Sequence, residues 1–205
     1  MAQKLHYFDS NGIAESIRYL FYYGGEKFED IRYDFKAWPD KKIQDLLPFG
    51  QLPLYEEGGA KLNQTLAIAR YVAYKVNLLP NDPWEQAVLD SLALTIYDFW
   101  FKIVTFLREK DPVRRMAIQK EILDESVNFY FTRFEKQLKE NKGYFIGKLT
   151  WVDFVFVSFV ETLDFYFDIN VEKKYPTVEA LMKKIFALPG VKEYVAARKP
   201  YEKFL

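Results

Sequence analysis

The sequence predicts an α/β first half followed by an all-helical second half, on three observations. Residues 4–35 hold a short alternating run in KLHYFD, a helical stripe in AESIRYLFYYG, and a second short run in FEDIRYDF. Residues 48–77 place two brief strand-like runs about Gly58-Gly59 and then the helical pattern NQTLAIARYVAYKVN. Beyond the turn-rich segment NLLPNDP, the apolar repeats all have helical spacing.

In the first half, Ile17, Leu20 and Phe21 form the inward stripe of a helix that Gly24 and Gly25 stop. A helix between two short strands is a crossover, so those strands are expected to pair in parallel. A short polar helix is expected after WPD, and Gly58-Gly59 reads as a hairpin turn. The closing helix turns Ile68, Tyr71 and Val72 inward. The element order is βαβ then ββα, and segment 77–83 is taken as the linker between a domain of residues 1–77 and one of residues 84–205.

In the second half, Leu89, Leu92, Ala93, Ile96, Trp100, Ile103 and Leu107 mark one face of a long helix, and Leu94, Asp98 and Phe101 mark a second. The first face covers its own core; the second needs a cleft or a partner. Met116, Leu123, Val127, Tyr130, Phe134 and Leu138 make another long stripe. The run VDFVFVSFVETLDFYF has the β-branched density of a strand, but its length and the Thr150-x-x-Asp153 capping pair predict a buried helix. Two shorter helices, 178–187 and 190–198, complete the chain.

Composition narrows the chemistry. The 205 residues carry 29 basic and 29 acidic side chains, so no net field favours nucleic acid or an anionic membrane. The absence of cysteine excludes a disulfide scaffold and a thiol nucleophile, and a single histidine removes most triad and zinc-cluster readings; no metal is expected. No apolar run reaches the roughly 18 residues of a membrane span, and MAQKLHYFDS lacks the apolar stretch of a signal peptide, so a cytoplasmic protein is expected. Aromatic residues make up 19% of the chain but are spread through every segment, which suits core packing better than a stacking platform.

The motifs KLHYFD, AESIRYLF, WPD, PFGQLP, NQTLAIARYVA, Asp98 and KLTWVDF, in this order, make the whole chain resemble the sigma class of the glutathione transferases, invertebrate members above all. The resemblance implies a thioredoxin-like first domain that binds glutathione as co-substrate and a helical-bundle second domain that shapes the electrophile pocket. It also implies a homodimer with small-molecule electrophiles as partners, and neither nucleic acid nor membrane.

Carried over residue by residue, the resemblance makes Tyr7 the hydroxyl that hydrogen-bonds the glutathione sulfur; as a plain tyrosine it would more often be packing. An O–H donor favours thiolate over thiol without a general base. Within Gly50, Gln51, Leu52 and Pro53, the Leu52-Pro53 step resembles the family's cis step, whose backbone pairs with the cysteinyl residue; an ordinary turn proline is the alternative. Gln64 and Thr65 resemble the pair that binds the γ-glutamyl end, Thr65 doubling as helix cap. Trp38 and Lys42 resemble the pair that holds the glycine end, with Lys41 a rival for the lysine. Asp98 resembles the acid that reaches glutathione in the neighbouring subunit; local capping or a nearby cation is its plainer use.

By the same resemblance Ile13, Trp100, Val155, Phe159 and Leu205 line an apolar electrophile pocket, Ile13 standing where other sigma members carry arginine. His6 adjoins Tyr7, but strand alternation turns it to the opposite face and it is given no role. The implied activity is conjugation of glutathione to apolar electrophiles such as lipid peroxidation products, with reduction of organic hydroperoxides beside it. Isomerisation of a prostaglandin endoperoxide to the D form, as some sigma members perform, is the first alternative. A ligand carrier or crystallin-like structural protein is the second.

Overall fold

The computed structural model describes residues 2–38, 40–45 and 47–200, with all side chains among them except those of Lys42 and Ile43. The chain forms two compact units: one from the described residues of Met1–Leu79 and Ala187–Phe204, the other from Pro80–Phe186.

The first unit is built on β1 (Gln3–Phe8), α1 (Glu15–Tyr23), β2 (Glu29–Tyr33), α2 (Lys41–Gln44), β3 (Leu54–Glu57), β4 (Ala60–Asn63) and α3 (Thr65–Lys75). Its sheet runs in the order β2-β1-β3-β4. β1 and β2 pair in parallel with Tyr7 opposite Arg32, as a helical crossover requires. β3 and β4 pair antiparallel across Gly58-Gly59, both at positive φ. Leu5, Ile17, Leu20, Phe21, Leu54, Ile68 and Val72 are buried, and α1 packs along α3. This is the thioredoxin-like arrangement.

The last helix of the chain, α9 (Val191–Ala197), packs on α1 and belongs to this same unit. The sequence places this segment in the domain of residues 84–205, while its packing groups it with the first unit. Tyr194 stacks on Tyr22, and Arg198 donates to the buried Glu15 carboxylate at 2.7 Å. Gly190, at φ 80°, makes the close approach possible: a Cβ there would lie 2.1 Å from the Tyr22 carbonyl oxygen.

The second unit holds α4 (Pro83–Arg108), α5 (Pro112–Glu121), a π-helical turn (Ile122–Ser126), α6 (Val127–Glu140), α7 (Trp151–Phe167) and α8 (Pro176–Phe186). α4 starts where Asp82 accepts from the Glu85 N–H at 2.8 Å, with Pro83 at the first helical position. Its core face runs through Leu89, Leu92, Ala93, Ile96, Phe99, Ile103 and Phe106, so Phe99 and Phe106 replace the expected Trp100 and Leu107. Met116 is exposed rather than in a core stripe.

α7 is the buried centre of the unit, every residue from Trp151 to Val160 being buried. The capping box forms: the Thr150 N–H and hydroxyl both donate to Asp153, at 2.7 and 3.0 Å. Burial pushes the Asp153 carboxyl up to about 6 against those hydrogen bonds. Fully burying each Val, Leu or Phe of this helix contributes roughly 1.5–3 kcal/mol, which outweighs its moderate helix propensity.

Candidate active site

β1, an inner strand, places Tyr7 near its C-terminal end. The antiparallel ladder between β1 and β3 ends at His6 opposite Leu54, so Tyr7 and Pro53 are the next residues along the chain at that end. Tyr7 is largely buried, with its ring edge-on to Phe8 at 5.3 Å and the Arg18 guanidinium 5.8 Å from its centroid. Arg18 is fully buried and ties the β1–α1 loop down, donating to the carbonyls of Ser10 at 2.8 Å and Asn11 at 3.2 Å. Burial opposes its charge, but Glu15 and Asp30 outweigh that and hold its pKa above the ordinary arginine value. In that loop Gly12, at φ 48°, lies against the Tyr7 hydroxyl.

His6 faces the other way. Its Nδ1 lies 2.9 Å from the Tyr33 hydroxyl and its Nε2 3.6 Å from Glu56, and burial lowers its pKa in spite of that carboxylate.

Leu52-Pro53 is cis and β3 begins at the next residue. Gly50, at φ 60°, closes a turn through its N–H to the Leu47 carbonyl at 3.1 Å, and Gln51 is exposed. Trp38 packs edge-on against Phe8 at 4.9 Å, and its carbonyl accepts from Gln44 at 3.0 Å. Lys41 is exposed and 3.6 Å from Asp45; the side chain of Lys42 lies outside the described residues.

The head of α3 departs from the expected capping. Gln64 occupies the N-cap position at φ 74° with no side-chain cap bond, and Thr65 is the first helical residue. The Thr65 hydroxyl is buried and has no hydrogen-bond partner among the described residues, so it caps nothing. A buried hydroxyl left unpaired at a helix head is costly unless a ligand completes it.

In the second unit, Leu94, Asp98 and Phe101 lie together on the exposed face of α4, Leu94 60% and Phe101 62% exposed. Trp100 is half-buried, whereas Val155 and Phe159 are buried in the core, Phe159 within 5.2 Å of Phe99. Ile13 is half-buried on the first unit and Leu205 lies outside the described residues. The sequence reading passed over Asn11, Gly12 and Arg18; the Asn-Gly pair directly before a helical stripe was the available signal of a positive-φ turn.

Residues 3–74 match the glutathione S-transferase N-terminal domain, and residues 97–198 the glutathione S-transferase C-terminal domain. The chain belongs to the glutathione S-transferase family. The transferase is 31% identical over 196 residues to a glutathione S-transferase of Anopheles gambiae, covering 95% of this chain and 96% of that one. It is 36% identical over 196 residues to hematopoietic prostaglandin D synthase of Gallus gallus, with the same coverage. The solved structure of prostaglandin synthase D of Nilaparvata lugens aligns with a TM-score of 0.93 at 34% identity, covering 98% of this chain and 100% of that chain.

Members of the family use glutathione as co-substrate, and the transferase's first unit suits that molecule. The orphan Thr65 hydroxyl and the α3 head match a carboxylate. Among the described residues, no helix is long and apolar enough to cross a membrane, and no cluster of three or more His, Asp or Glu side chains is arranged to hold a metal ion.

Proposed function

We propose that the chain is a sigma-class transferase, a cytoplasmic homodimer that delivers glutathione thiolate to apolar electrophiles. The observation that carries this reading is the Thr65 hydroxyl, buried and unpaired at the head of α3, whose N–H groups and dipole favour an anion. The γ-glutamyl carboxylate completes both, with Gln64 beside it. Leu52 and Pro53 pair their backbone with the cysteinyl residue as an added strand does, flanked by Gly50 and Gln51. Trp38 with Lys42, or with Lys41, holds the glycine end.

In the reaction Tyr7 donates its O–H to the sulfur and keeps its proton, favouring thiolate at neutral pH. The thiol proton leaves to solvent and the sulfur lone pair forms the new C–S bond; with an aryl halide the halide departs with the electrons of the C–halogen bond, and with an alkenal the C=C π electrons shift to the carbonyl oxygen and the resulting enolate takes a proton from solvent. With an organic hydroperoxide, the sulfur attacks oxygen and the O–O bond breaks. That gives an alcohol and a sulfenic acid, which a second glutathione converts to disulfide and water. Ile13 on the first unit and Trp100 on the second, with Leu205, are assigned to electrophile choice, and their apolar character favours lipid-derived substrates, at roughly 25 cal/mol per Å² of buried apolar surface; Val155 and Phe159, buried in the helical core, act on that choice only through packing. The exposed stripe Leu94, Asp98, Phe101 is assigned to the dimer interface, with Asp98 reaching the neighbour's glutathione.

A second reading, isomerisation of a prostaglandin endoperoxide, is favoured by the two relatives named for prostaglandin synthesis. The test is glutathione-agarose retention followed by kcat/KM for an aryl halide, a neutral alkenal and the endoperoxide on one preparation. Conjugation faster than isomerisation supports the first reading, and the reverse supports the second. Retention with turnover of none supports a carrier.

A further inference from the structure

We propose that Gly12 is a positioning residue for the Tyr7 hydroxyl: only a residue without a side chain leaves the Oη where it can reach the glutathione sulfur. The inference rests on the role given to Tyr7. A Cβ on Gly12 would lie 2.7 Å from Tyr7 Oη, 3.0 Å from Cε1 and 3.3 Å from Cζ, so one partner must move.

Both are constrained. The Tyr7 ring is held by Phe8 and by the buried Arg18 guanidinium. The loop is pinned on both sides of Gly12. Arg18 grips the carbonyls of Ser10 and Asn11, the Ser16 hydroxyl donates to the Ile13 carbonyl at 3.1 Å, and the Asp9 N–H donates to the Tyr33 carbonyl at 2.9 Å. The positive φ of Gly12 follows from the same path: the chain must turn from β1 into α1 within a few residues while passing over the phenol. A methyl group here therefore acts on the hydroxyl's position, and a displacement of a fraction of an ångström weakens a hydrogen bond to sulfur while leaving the peptide-binding residues before β3 and at the head of α3 in place.

The experiment is a double-mutant cycle on the full chain with Gly12→Ala and Tyr7→Phe, reading kcat for aryl-halide conjugation, KM for glutathione, and the titration of the bound thiol by thiolate absorbance. Gly12→Ala is expected to lower kcat about tenfold and to raise the bound thiol's pKa, with KM for glutathione within about threefold of wild type. In the Tyr7→Phe background, where no Oη remains to be displaced, the same substitution is expected to change neither readout. A loss of equal size in both backgrounds marks a structural role and overturns the proposal. So does an unshifted thiol titration in Gly12→Ala when Tyr7→Phe alone is impaired. If Tyr7→Phe itself turns over normally, the role of Tyr7 falls and the proposal with it. Should Gly12→Ala fail to fold, Gly12→Asn takes its place, because asparagine adopts positive φ more readily yet carries the same Cβ; its expected titration shift is the same.

Discussion

The ring of Tyr194 on α9 lies flat on that of Tyr22 on α1, with centroids 4.2 Å apart and planes 13° apart. The Tyr194 hydroxyl donates to Glu15 at 3.1 Å, on the carboxylate that also receives Arg18 and Arg198. The stack thus closes over a buried ion pair whose charges need every donor they have. Tyr194→Ala is expected to cost about 3–5 kcal/mol, roughly a 10 °C fall in midpoint for a chain of this size. Tyr194→Phe, which keeps the stack, is expected to cost about half as much. Thermal unfolding followed by circular dichroism measures both, and an alanine variant as stable as wild type would show that α9 is not held by this contact.

Thr65→Val tests the orphan hydroxyl. Removing a buried polar atom that pairs with nothing in the free protein is expected to leave stability unchanged or raise it slightly. Glutathione binding, measured by calorimetry, is expected to weaken about tenfold. Equal affinity in the two proteins would mean that the hydroxyl does not meet the peptide.

The acid side chains of α7 set the pH dependence of stability. Burial, reinforced by the Glu172 carboxyl and opposed by the Val171 N–H, pushes Asp164 up to about 8, and burial pushes Asp153 up to about 6. Both folded values exceed the unfolded one, so the folded chain binds more protons. The stability these groups contribute is full below the unfolded pKa and is lost as pH rises, through 6 for Asp153 and through 8 for Asp164. Asp164→Asn keeps an acceptor for the Val171 N–H and removes the titration. Its melting temperature is expected to exceed that of wild type above pH 8 and to vary less between pH 6 and 9. Parallel profiles for the two proteins would contradict the assignment.

The proposed dimer is tested on α4. Static light scattering is expected to report twice the chain mass, and Phe101→Glu with Leu94→Glu to report one chain mass. Asp98→Ala is expected to weaken glutathione binding without changing the mass. A wild-type monomer at micromolar concentration removes both the dimer and the cross-subunit role of Asp98.

The element order βαβ-ββα and the parallel β1–β2 pairing were legible because short alternating runs, a helical crossover and a Gly-Gly turn leave few alternatives open. On α4, by contrast, a core face through Trp100 and Leu107 has nearly the same period as one through Phe99 and Phe106, and packing of Phe99 on Phe131 and Phe159 and of Phe106 on Phe167 selects the latter. Met116 was misplaced because the π-helical turn at Ile122–Ser126 inserts an extra residue and shifts the phase of everything before it. No periodicity carries that information. Thr65 was read as a cap because threonine caps helices; only coordinates show that Gln64 takes the cap position and leaves the hydroxyl unpaired.

The return of α9 to the first unit orders events at the ribosome. Residues of that unit are made both before and after the second unit, which is translated between them. Until residues 191–198 leave the exit tunnel, Tyr22 and the Glu15 carboxylate have no cover from the C-terminal helix. The nascent chain therefore carries a thioredoxin-like unit without its α9 cover while the second unit is translated, and a premature stop in the second unit leaves a product that lacks that cover.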